Sequence, residues 1–375
     1  GMLGRAYRRS LPVLRRPEFQ SGDISRMAEL VSQARKPLLL AGGGVIRSGA
    51  SGALREYAER TGIPVVSTLM GLGAMEWSSG LYFGMAGSFG CPAANYAVQS
   101  CDTLIALGVR FSDRLTGRVD AFAPNARIIH VDIDRAEIDK NVRSFHHVVG
   151  DAGEILAGLM EYALPAADGE WLGELRARRE AQAAVGGFPE TIIHTIQKKC
   201  PNALIATDVG QHQLWTCRCF GFSNPGQLIT SGGYGAMGFG LGAALGAKAG
   251  NPDKTVIHIT GDGSFGMNMT ELMTEMREKL PVITVIFDNT ALGLVRQNQT
   301  LNYSKRYSQT SLTALPDYSL LAGAFGLEAV RAENAAELEA ALDRFLAGGR
   351  GGIIDCVVDR DELICPMLDK GRLIY

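Results

Sequence analysis

The first half of the chain alternates short runs of apolar residues with longer stretches whose apolar residues recur at helical spacing. Asp23 stands before one such stretch and is the predicted N-cap of a helix that ends at Ala34. We also predict a helix over residues 48–60 and strands over residues 37–40, 63–66, 103–107 and 127–133. Short buried strands that alternate with helices are typical of a doubly wound parallel sheet.

The second half repeats this alternation. Strands are predicted over residues 203–207, 255–260 and 281–287. The helix predicted over 267–279 has apolar residues at helical spacing, namely Met269, Leu272, Met273 and Met276. The strand, glycine turn, helix and next strand form one right-handed βαβ unit. The sequence therefore predicts an α/β protein with two doubly wound parallel-sheet domains.

The predicted domains are residues 23–163 and 188–375. A polar linker over 164–187 joins them and contains a predicted surface helix over 171–182. Residues 1–22 are interpreted as a linker or tag remnant. The basic stretch 5–16 also has the composition of a transit peptide, but Gly1 before Met2 favours the tag remnant.

Composition and charge narrow the class of protein. The 375 residues are 46% hydrophobic and 20% charged with a formal net charge of −2, which is typical of a globular protein and argues against a nucleic-acid partner. No apolar run approaches the ~20 residues of a membrane helix, so no membrane span is predicted. The seven scattered cysteines indicate reduced thiols and hence a cytoplasmic protein.

Polar residues follow two strands that we expect to be neighbours. Gly261-Asp262-Gly263 comes after the strand over 255–260, and Asp288-Asn289 comes after the strand over 281–287. Open α/β sheets bind ligands at the carboxyl ends of their strands. A carboxylate and an amide oxygen suit Mg²⁺, and glycines before a helix admit a diphosphate. The alternative is an ordinary Gly-Asp-Gly turn.

Two other glycine motifs each have a structural alternative. Gly42-Gly43-Gly44 lies between a strand and a helix, as in a dinucleotide contact or in an ordinary tight turn. Gly233-x-Gly235-x-x-Gly238 formally matches the dinucleotide fingerprint, but the strand before it is very short and no acid ends a strand ~20 residues later. Instead, glycines at every fourth position predict a bare stripe for close helix packing, at Gly238, Gly242, Gly246 and Gly250.

Several stretches resemble one family of enzymes. The pattern from Gly261-Asp262-Gly263 to Asp288-Asn289 is similar to the diphosphate-binding motif of thiamine-diphosphate enzymes. Gly261-Asp-Gly-Ser-Phe-Gly-Met-Asn-Met-Thr-Glu-Leu272, Leu292-Gly-Leu-Val-Arg-Gln297 and Gly108-Val-Arg-Phe-Ser-Asp-Arg-Leu-Thr-Gly117 resemble the large catalytic subunit of acetolactate synthase. The resemblance runs from residue 36 to the end of the chain and implies the central and C-terminal domains of that subunit.

The resemblance implies a site for magnesium and thiamine diphosphate. The implied magnesium ligands are Asp262, Asn289 and the carbonyl of Ala291. The implied catalytic residues are Gly235 and Met237, which hold the aminopyrimidine ring, and Met237 also bends the cofactor. The other implied contacts to thiamine diphosphate are Val209, Gly210, Gln211, His212, Gly261, Gly263, Ser264, Leu292, Gly293 and Leu294.

The resemblance also implies an FAD site without a redox role in the first domain. The implied FAD contacts are Gly42, Gly43, Gly44, Thr68, Leu69, Gly108, Arg110, Arg114, Asp132 and Ile133. The two arginines suit a diphosphate, and their alternative role is surface salt bridging. The chain departs from the family pattern at Ser88-Phe89, Ser112, Asp288 and Asn298, where the family usually has Met-His, an acid, Asn and Trp.

The implied reaction is the decarboxylation of pyruvate on thiamine diphosphate and the addition of the two-carbon unit to a second 2-oxo acid, as in branched-chain amino acid biosynthesis. The family has a further domain with the glutamate that protonates the pyrimidine ring, and no segment of this sequence corresponds to it. We therefore expect a chain that is inactive alone and acts as a homodimer with a pyrimidine-binding domain or subunit and a small regulatory subunit. The alternatives are another thiamine-diphosphate 2-oxo acid decarboxylase or carboligase, and a non-catalytic nucleotide-binding fragment.

Overall fold

The computed structural model of the chain describes residues 17–162, 168–181, 186–365, 367–369 and 372–374. Two six-stranded parallel sheets organise these residues, and helices cover both faces of each sheet. This confirms the predicted α/β class with two doubly wound sheets. Parts of the predicted segments 1–22 and 164–187 lie outside the described residues.

The first domain is built on a sheet of six parallel strands. The strands are β1 (Pro37–Ala41), β2 (Val65–Ser67), β3 (Tyr82–Met85), β4 (Thr103–Leu107), β5 (Arg127–Asp132) and β6 (His146–Val149). Their order in the sheet is β3-β2-β1-β4-β5-β6. The helices are α1 (Ser21–Ser32), α2 (Gly43–Arg47), α3 (Ser51–Thr61), α4 (Pro92–Ser100), α5 (Asp113–Thr116), α6 (Ala152–Leu159) and α7 (Gly169–Glu180).

The two faces of the first sheet have separate cores because successive side chains of β1 point to opposite sides. Leu39 packs with α1, α3 and α6, whereas Leu38 packs with α4 and α7. The surface helix predicted over residues 171–182 corresponds to α7, and one of its faces is buried. Trp171 of α7 is 1% exposed, and its Nε1 donates to the carbonyl of Pro37 at 3.0 Å. Because Trp171 and Leu175 are apolar at helical spacing, this face of α7 covers the first sheet.

The second domain has a similar sheet with the order β11-β12-β10-β9-β7-β8. The strands are β7 (Leu204–Thr207), β8 (Leu228–Thr230), β9 (Val256–Gly261), β10 (Ile283–Asp288), β11 (Ala329–Ala332) and β12 (Gly352–Val357). The helices are α8 (Phe188–Lys199), α9 (Gln211–Cys219), α10 (Phe239–Gly250), α11 (Asp262–Asn268), α12 (Leu272–Glu278), α13 (Gly293–Asn302), α14 (Tyr318–Ala324) and α15 (Ala335–Gly348). A short antiparallel ribbon follows, β13 (Met367–Asp369) with β14 (Arg372–Ile374).

Two helix starts in the first domain differ from the sequence prediction. Helix α1 begins at Ser21, and Asp23 is not its N-cap but completes a capping box with Gln20. The helix predicted over 48–60 begins at Ser51, because Gly49 has a φ of 71° and separates α2 from α3. Both starts depend on residues just before the apolar pattern, where periodicity gives no signal.

The helix predicted over 267–279 is two helices with a 3₁₀ turn between them. Asn268 ends α11 with a φ of −140°, and its side chain donates to the carbonyl of Gly238 at 3.1 Å. Helix α12 then buries Leu272 and Glu275. Met273 and Met276, which share the predicted helical spacing, are exposed.

The glycine stripe predicted on one helix lies on the outer side of α10. A Cβ added at Gly242, Gly246 or Gly250 would meet no heavy atom within 4 Å. The buried side of α10 is formed by Leu241, Ala244 and Leu245 instead. Gly238 is the N-cap of α10 and lies against Met267 and Asn268, so it is not part of this outer side. Gly242, Gly246 and Gly250 therefore form a shorter stripe that packs against no described part of this chain.

Among the described residues, no helix combines the length and apolarity needed to cross a bilayer. All seven cysteines lie in the described ranges and none forms a disulfide.

Candidate functional site

The order of the second sheet creates a crevice at its carboxyl edge. After β7 the chain adds β8 on one side, and it then adds β9 on the other side. Ligands of open α/β sheets bind at such a switch point. Residues 209–212 follow β7, the turn 261–264 ends β9, and Asp288 ends β10. The structure thus brings these sequence-predicted residues together at one edge of the sheet.

Asp262 occupies this edge as the first residue of α11 and is 3% exposed. Its Oδ1 accepts the N–H of Gly263 at 2.7 Å, and its Oδ2 has no hydrogen-bond partner among the described residues. Burial, followed by the charge of the neighbouring Asp288, raises the pKa of the Asp262 carboxyl. A bound cation would satisfy the free oxygen and stabilise the buried charge.

The loop after β10 faces Asp262 and is held by two successive side-chain turns. Asp288 Oδ1 accepts the N–H of Thr290 at 3.1 Å, and Asn289 Oδ1 accepts the N–H of Ala291 at 3.0 Å. Thr290 has a φ of 52°, which a β-branched residue rarely adopts. Asp and Asn both form such turns, which explains how Asp288 stands where the resembled family usually has Asn.

The donors at this edge fit magnesium on their chemistry. A carboxylate, an amide oxygen and a carbonyl are oxygen ligands, and magnesium usually completes its shell with phosphates and water. Within the described residues, no three or more His, Cys, Asp or Glu side chains are grouped to hold a metal. A magnesium site built on Asp262 would therefore also need Asn289, the Ala291 carbonyl and oxygens of the ligand.

His212 provides a second buried atom that lacks a partner. It lies in the first turn of α9, is 5% exposed, and its Nε2 has no hydrogen-bond partner among the described residues. Burial lowers the pKa of His212 to about 4, so the imidazole is neutral at pH 7. A Cβ on Gly261 would lie 2.9 Å from its Nδ1. The ring therefore stands against the glycine turn and can donate or accept one further hydrogen bond.

Gln211 is held by Asn289 and by two residues that the sequence analysis did not assign to the site, Gln297 and Glu362. Its Nε2 donates to Gln297 Oε1 at 2.8 Å and to the carbonyl of Glu362 at 2.9 Å. Its Oε1 accepts from Asn289 Nδ2 at 3.4 Å. Gln297 is 2% exposed although it is a polar residue of an amphipathic helix. Because Gln211 and Gln297 are 86 residues apart in sequence, this contact emerges only from the fold.

Gly235 and Met237 lie in the segment before α10. Met237 is half-buried, and its Cε lies 3.8 Å from the position that a Cβ on Gly263 would take. Ser264 connects the same turn to the loop after β7, since its Oγ donates to the carbonyl of Val209 at 3.3 Å. The Met237 side chain thus faces the turn that carries Asp262, rather than filling a core as methionine commonly does.

A cavity of about 1920 Å³ extends between the two domains. Its lining includes the first-domain predictions Gly43, Gly44, Thr68, Leu69, Gly108, Arg110, Arg114, Asp132 and Ile133. It also includes Val209, Gly235 and Leu294 of the second domain. Gly42 and the turn over residues 261–264 lie outside the lining. Ligand pockets commonly measure ~300–1,000 Å³, so this cavity has room for an extended ligand or for two ligands.

The first-domain glycines permit a close contact between two strand ends. The first sheet also has a switch point, between β1 and β4. A Cβ on Gly42 would lie 2.0 Å from the carbonyl oxygen of Gly108, and a Cβ on Gly108 would lie 2.4 Å from the Cα of Gly44. Loop packing therefore requires glycine here whether or not a ligand binds.

Arginines surround the first-domain part of the cavity, and three of them, Arg47, Arg118 and Arg178, were not assigned from the sequence. Arg178 belongs to α7, and its guanidinium lies 4.1 Å from the ring centre of Tyr96. The Arg114 side chain is 81% exposed. The Nη2 of Arg110 lies 3.5 Å from the position of a Cβ on Gly233, so this arginine reaches the second domain. Guanidinium groups around a large cavity at a switch point fit a diphosphate-containing ligand such as FAD.

The fold defines a two-domain α/β protein with a crevice at the switch point of each sheet. Residues 24–159 match the profile described as thiamine pyrophosphate enzyme, central domain. Residues 208–356 match the profile described as thiamine pyrophosphate enzyme, C-terminal TPP binding domain. The chain therefore belongs to the thiamine pyrophosphate enzyme family, of which it has the central and the TPP-binding domains.

The chain is similar to large subunits of acetolactate synthase. It is 42% identical over 367 residues to the probable acetolactate synthase large subunit of Methanocaldococcus jannaschii, covering 94% of this chain and 62% of the relative. It is 39% identical over 360 residues to the isozyme 2 large subunit of Escherichia coli, with 94% and 65% covered. The large subunit of Corynebacterium glutamicum is 41% identical over 367 residues, with 93% and 59% covered. The chain thus spans about three fifths of the length of these relatives.

Proposed function

We propose that this chain is the cofactor-binding part of an acetolactate synthase, a thiamine-diphosphate-dependent transferase. The enzyme decarboxylates pyruvate and adds the two-carbon unit to a second 2-oxo acid. One observation carries the proposal: Asp262 Oδ2 and His212 Nε2 are both buried at the switch point of the TPP-binding domain and have no hydrogen-bond partner in the described part of the chain. Buried polar atoms rarely lack partners, and a magnesium diphosphate would supply both.

Each residue of this edge has a role in the proposed complex. Asp262, Asn289 and the Ala291 carbonyl hold Mg²⁺, which neutralises the diphosphate. Neutral His212 binds a phosphate oxygen. The carbonyl of Gly235 accepts a hydrogen bond from the pyrimidine ring, and Met237 supports the bent cofactor. When bound, thiamine diphosphate supplies the carbon nucleophile and accepts the electrons that decarboxylation releases.

FAD is the proposed ligand of the first-domain part of the cavity. The support is the switch point between β1 and β4, the guanidinium groups of Arg110 and Arg114, and a volume that exceeds one ordinary pocket. Asp132 at the end of β5 is a second polar contact, 8% exposed, with a pKa raised by burial. FAD has no redox step in the proposed reaction.

Catalysis is proposed to require a pyrimidine-binding domain with a glutamate beyond the residues of this sequence, and a second copy of the chain. The support is an exposed apolar surface beside the pyrimidine segment. Tyr234 is 98% exposed, Met267 59% and Phe239 39%. Apolar surface of this kind marks an interaction site. The exposed glycine stripe of α10 offers a close-packing face for a second copy. A small regulatory subunit and a cytoplasmic location complete the proposal.

Asn298 gives a reason to keep a second candidate, another carboligase of the same family. It lines the cavity, and its Oδ1 accepts from Asn302 Nδ2 at 2.9 Å. The resembled family usually has Trp here, so the second 2-oxo acid meets a more polar wall. The two candidates share the cofactor and the first step, and they differ in the acceptor.

The proposed function is tested by acetolactate formation from pyruvate with thiamine diphosphate, Mg²⁺ and FAD. The 375-residue chain is assayed alone and with a pyrimidine-binding domain of a related acetolactate synthase added in trans. We expect product only in the mixture, and none when Asp262→Ala replaces the natural chain. Turnover by the chain alone would refute the requirement for another domain. A mixture that releases carbon dioxide from pyruvate without forming acetolactate would favour the second candidate.

A further inference from the structure

A buried carboxylate joins three segments of the candidate site. Asp208 follows β7 and is 1% exposed. Its Oδ1 accepts the N–H of Gly240 at 2.9 Å. Its Oδ2 accepts from Thr260 Oγ1 at 2.8 Å and from His258 Nε2 at 2.9 Å. The segments are therefore the loop after β7, the end of β9 and the start of α10.

The partners of Asp208 on β9 are themselves fixed. His258 and Thr260 are two residues apart and share the face of the sheet that α10 covers. His258 is 0% exposed, and its Nδ1 lies 3.3 Å from Oγ1 of Thr284, the residue opposite it on β10. Burial alone would raise the pKa of Asp208, but the hydrogen bond and charge of His258 bring it down to about 2. The carboxylate is thus ionised, and both of its oxygens accept hydrogen bonds.

Helix α10 can reach this network only because residue 240 is glycine. A Cβ at Gly240 would lie 2.5 Å from His258 Nε2 and 2.8 Å from the backbone nitrogen of Asp208. The Gly240 N–H belongs to the first turn of the helix, where backbone donors have no intrahelical acceptor. Asp208 supplies that acceptor and fixes where α10 begins.

Each fixed segment continues directly into a predicted contact. Asp208 precedes Val209 of the loop after β7, and Thr260 precedes the turn with Asp262. Gly240 follows Met237 by three residues. The carboxylate therefore stands where the diphosphate, magnesium and pyrimidine segments converge, and displacement of any one of them alters their spacing.

We propose that Asp208, held by His258 and Thr260, is a positioning residue that sets the distance between the pyrimidine segment and the diphosphate site. It touches no ligand and acts through Gly240. This inference rests on the proposed thiamine diphosphate site. Its consequence is selective: loss of Asp208 impairs a ligand that spans both segments and spares a ligand that occupies only the diphosphate site.

The test compares two ligands by calorimetry on the 375-residue chain with Mg²⁺, thiamine diphosphate and inorganic pyrophosphate. Asp208→Ala removes the carboxylate. Gly240→Ala keeps the carboxylate of Asp208 but pushes α10 away from it. In both variants we expect thiamine diphosphate affinity to fall at least about tenfold, while pyrophosphate affinity stays within about threefold. Asp208→Asn keeps an oxygen for the Gly240 N–H and should recover most of the loss.

The matched control is Gln227→Ala at the opposite edge of the same sheet. Gln227 is 2% exposed and donates to the carbonyls of Pro201 and Ala203. Its loss should lower the melting temperature without changing the ratio of the two affinities. Equal losses for both ligands in the Asp208 and Gly240 variants, or no loss, would overturn the positioning role. A natural chain that binds pyrophosphate but gains nothing from the rest of thiamine diphosphate would instead refute the proposed function, and this inference with it.

Discussion

The two sheets have the same kind of switch point, but the crevices there are built differently. In the second domain, Asp262 and His212 hold buried polar atoms that no described residue satisfies. In the first domain, the crevice is lined by backbone at Gly44 and Gly108 and by exposed arginines. Among the described residues that line it, the comparable atom is Glu137 Oε2, and the Oε1 of the same carboxylate accepts a hydrogen bond from Lys140.

The crevice of the second domain therefore gains stability when a ligand binds, whereas the crevice of the first domain is already satisfied by solvent. Unsatisfied buried atoms cost stability until a ligand pairs with them, whereas exposed guanidinium groups are already solvated. The order of the strands therefore locates both crevices. The burial of unpaired polar atoms indicates which crevice depends more strongly on its side chains for ligand affinity. We expect mutations in the second crevice to cost far more affinity than mutations in the first.

The largest expected effect is the loss of the unsatisfied carboxylate. Asp262→Ala removes a metal ligand and should lower thiamine diphosphate affinity in Mg²⁺ by at least about 10³-fold, or ~4 kcal/mol, by calorimetry. Asp317→Ala is the control, since it removes the N-cap of α14 in the same domain, which costs ~1 kcal/mol of stability. Unchanged affinity in Asp262→Ala would remove this residue from the metal site.

Glu275 is a buried acid of the second domain that lies outside its crevice, so it shows what burial of a carboxyl does without a ligand site. Glu275 is 3% exposed, accepts the N–H of Val282 at 3.4 Å, and has a pKa raised by burial to about 7. The folded state thus keeps a proton that the unfolded chain loses near pH ~4.5. Its contribution to stability is complete below that pH and is lost as the pH rises through about 7.

Glu275→Gln should therefore stabilise the fold at pH 8 relative to the natural chain, by up to about 3 kcal/mol, and leave stability at pH 4 little changed. Urea unfolding at both pH values measures the difference. The exposed Glu278→Gln is the control and should show no such pH dependence. Equal stability of Glu275→Gln and the natural chain at pH 8 would contradict the assignment.

The first crevice should respond more weakly. Arg110→Ala removes one solvated guanidinium and should reduce FAD affinity about tenfold, measured by flavin fluorescence, with thiamine diphosphate affinity unchanged. Arg118 also lines the cavity, but its guanidinium already pairs with Asp120, so Arg118→Ala should have little effect. Similar losses in both variants would mean that the cavity binds FAD by general charge rather than through Arg110.

The smallest expected effect concerns the acceptor. In the complete enzyme, Asn298→Trp should raise the ratio of 2-oxobutyrate to pyruvate products about fivefold, which is ~1 kcal/mol and the lower end of the ~1–3 kcal/mol that a methylene in a pocket is worth. Competition of the two acids in one reaction measures the ratio. Gln299→Ala, outside the cavity lining, should leave it unchanged. An unaltered ratio in Asn298→Trp would exclude this residue from the acceptor pocket.

Sequence reasoning reached the strands and their carboxyl ends because both follow from local patterns. The glycine turn at Asp262 and the strand before it were visible in order along the chain. Contacts between segments distant in sequence could not be predicted, as for the bond between Gln211 and Gln297, which are 86 residues apart. His258 and Thr260 did carry a signal, as two polar residues on one face of an apolar strand.

The helix break at Asn268 was missed for a related reason. Its cause is a side-chain bond to the carbonyl of Gly238, thirty residues away in sequence. Helical spacing continued through Met273 and Met276, so periodicity predicted one helix. Both methionines are exposed, since a buried and an exposed row of apolar residues have the same spacing in sequence.

The central claim is that the switch point of the second sheet binds the metal diphosphate. Crystals of the chain grown with thiamine diphosphate and Mn²⁺ in place of Mg²⁺ test it by anomalous scattering. We predict a manganese peak within coordination distance of Asp262 Oδ2 and Asn289 Oδ1, with the diphosphate beside it. A diphosphate bound instead among the arginines of the first crevice, or a metal peak elsewhere, would contradict the claim.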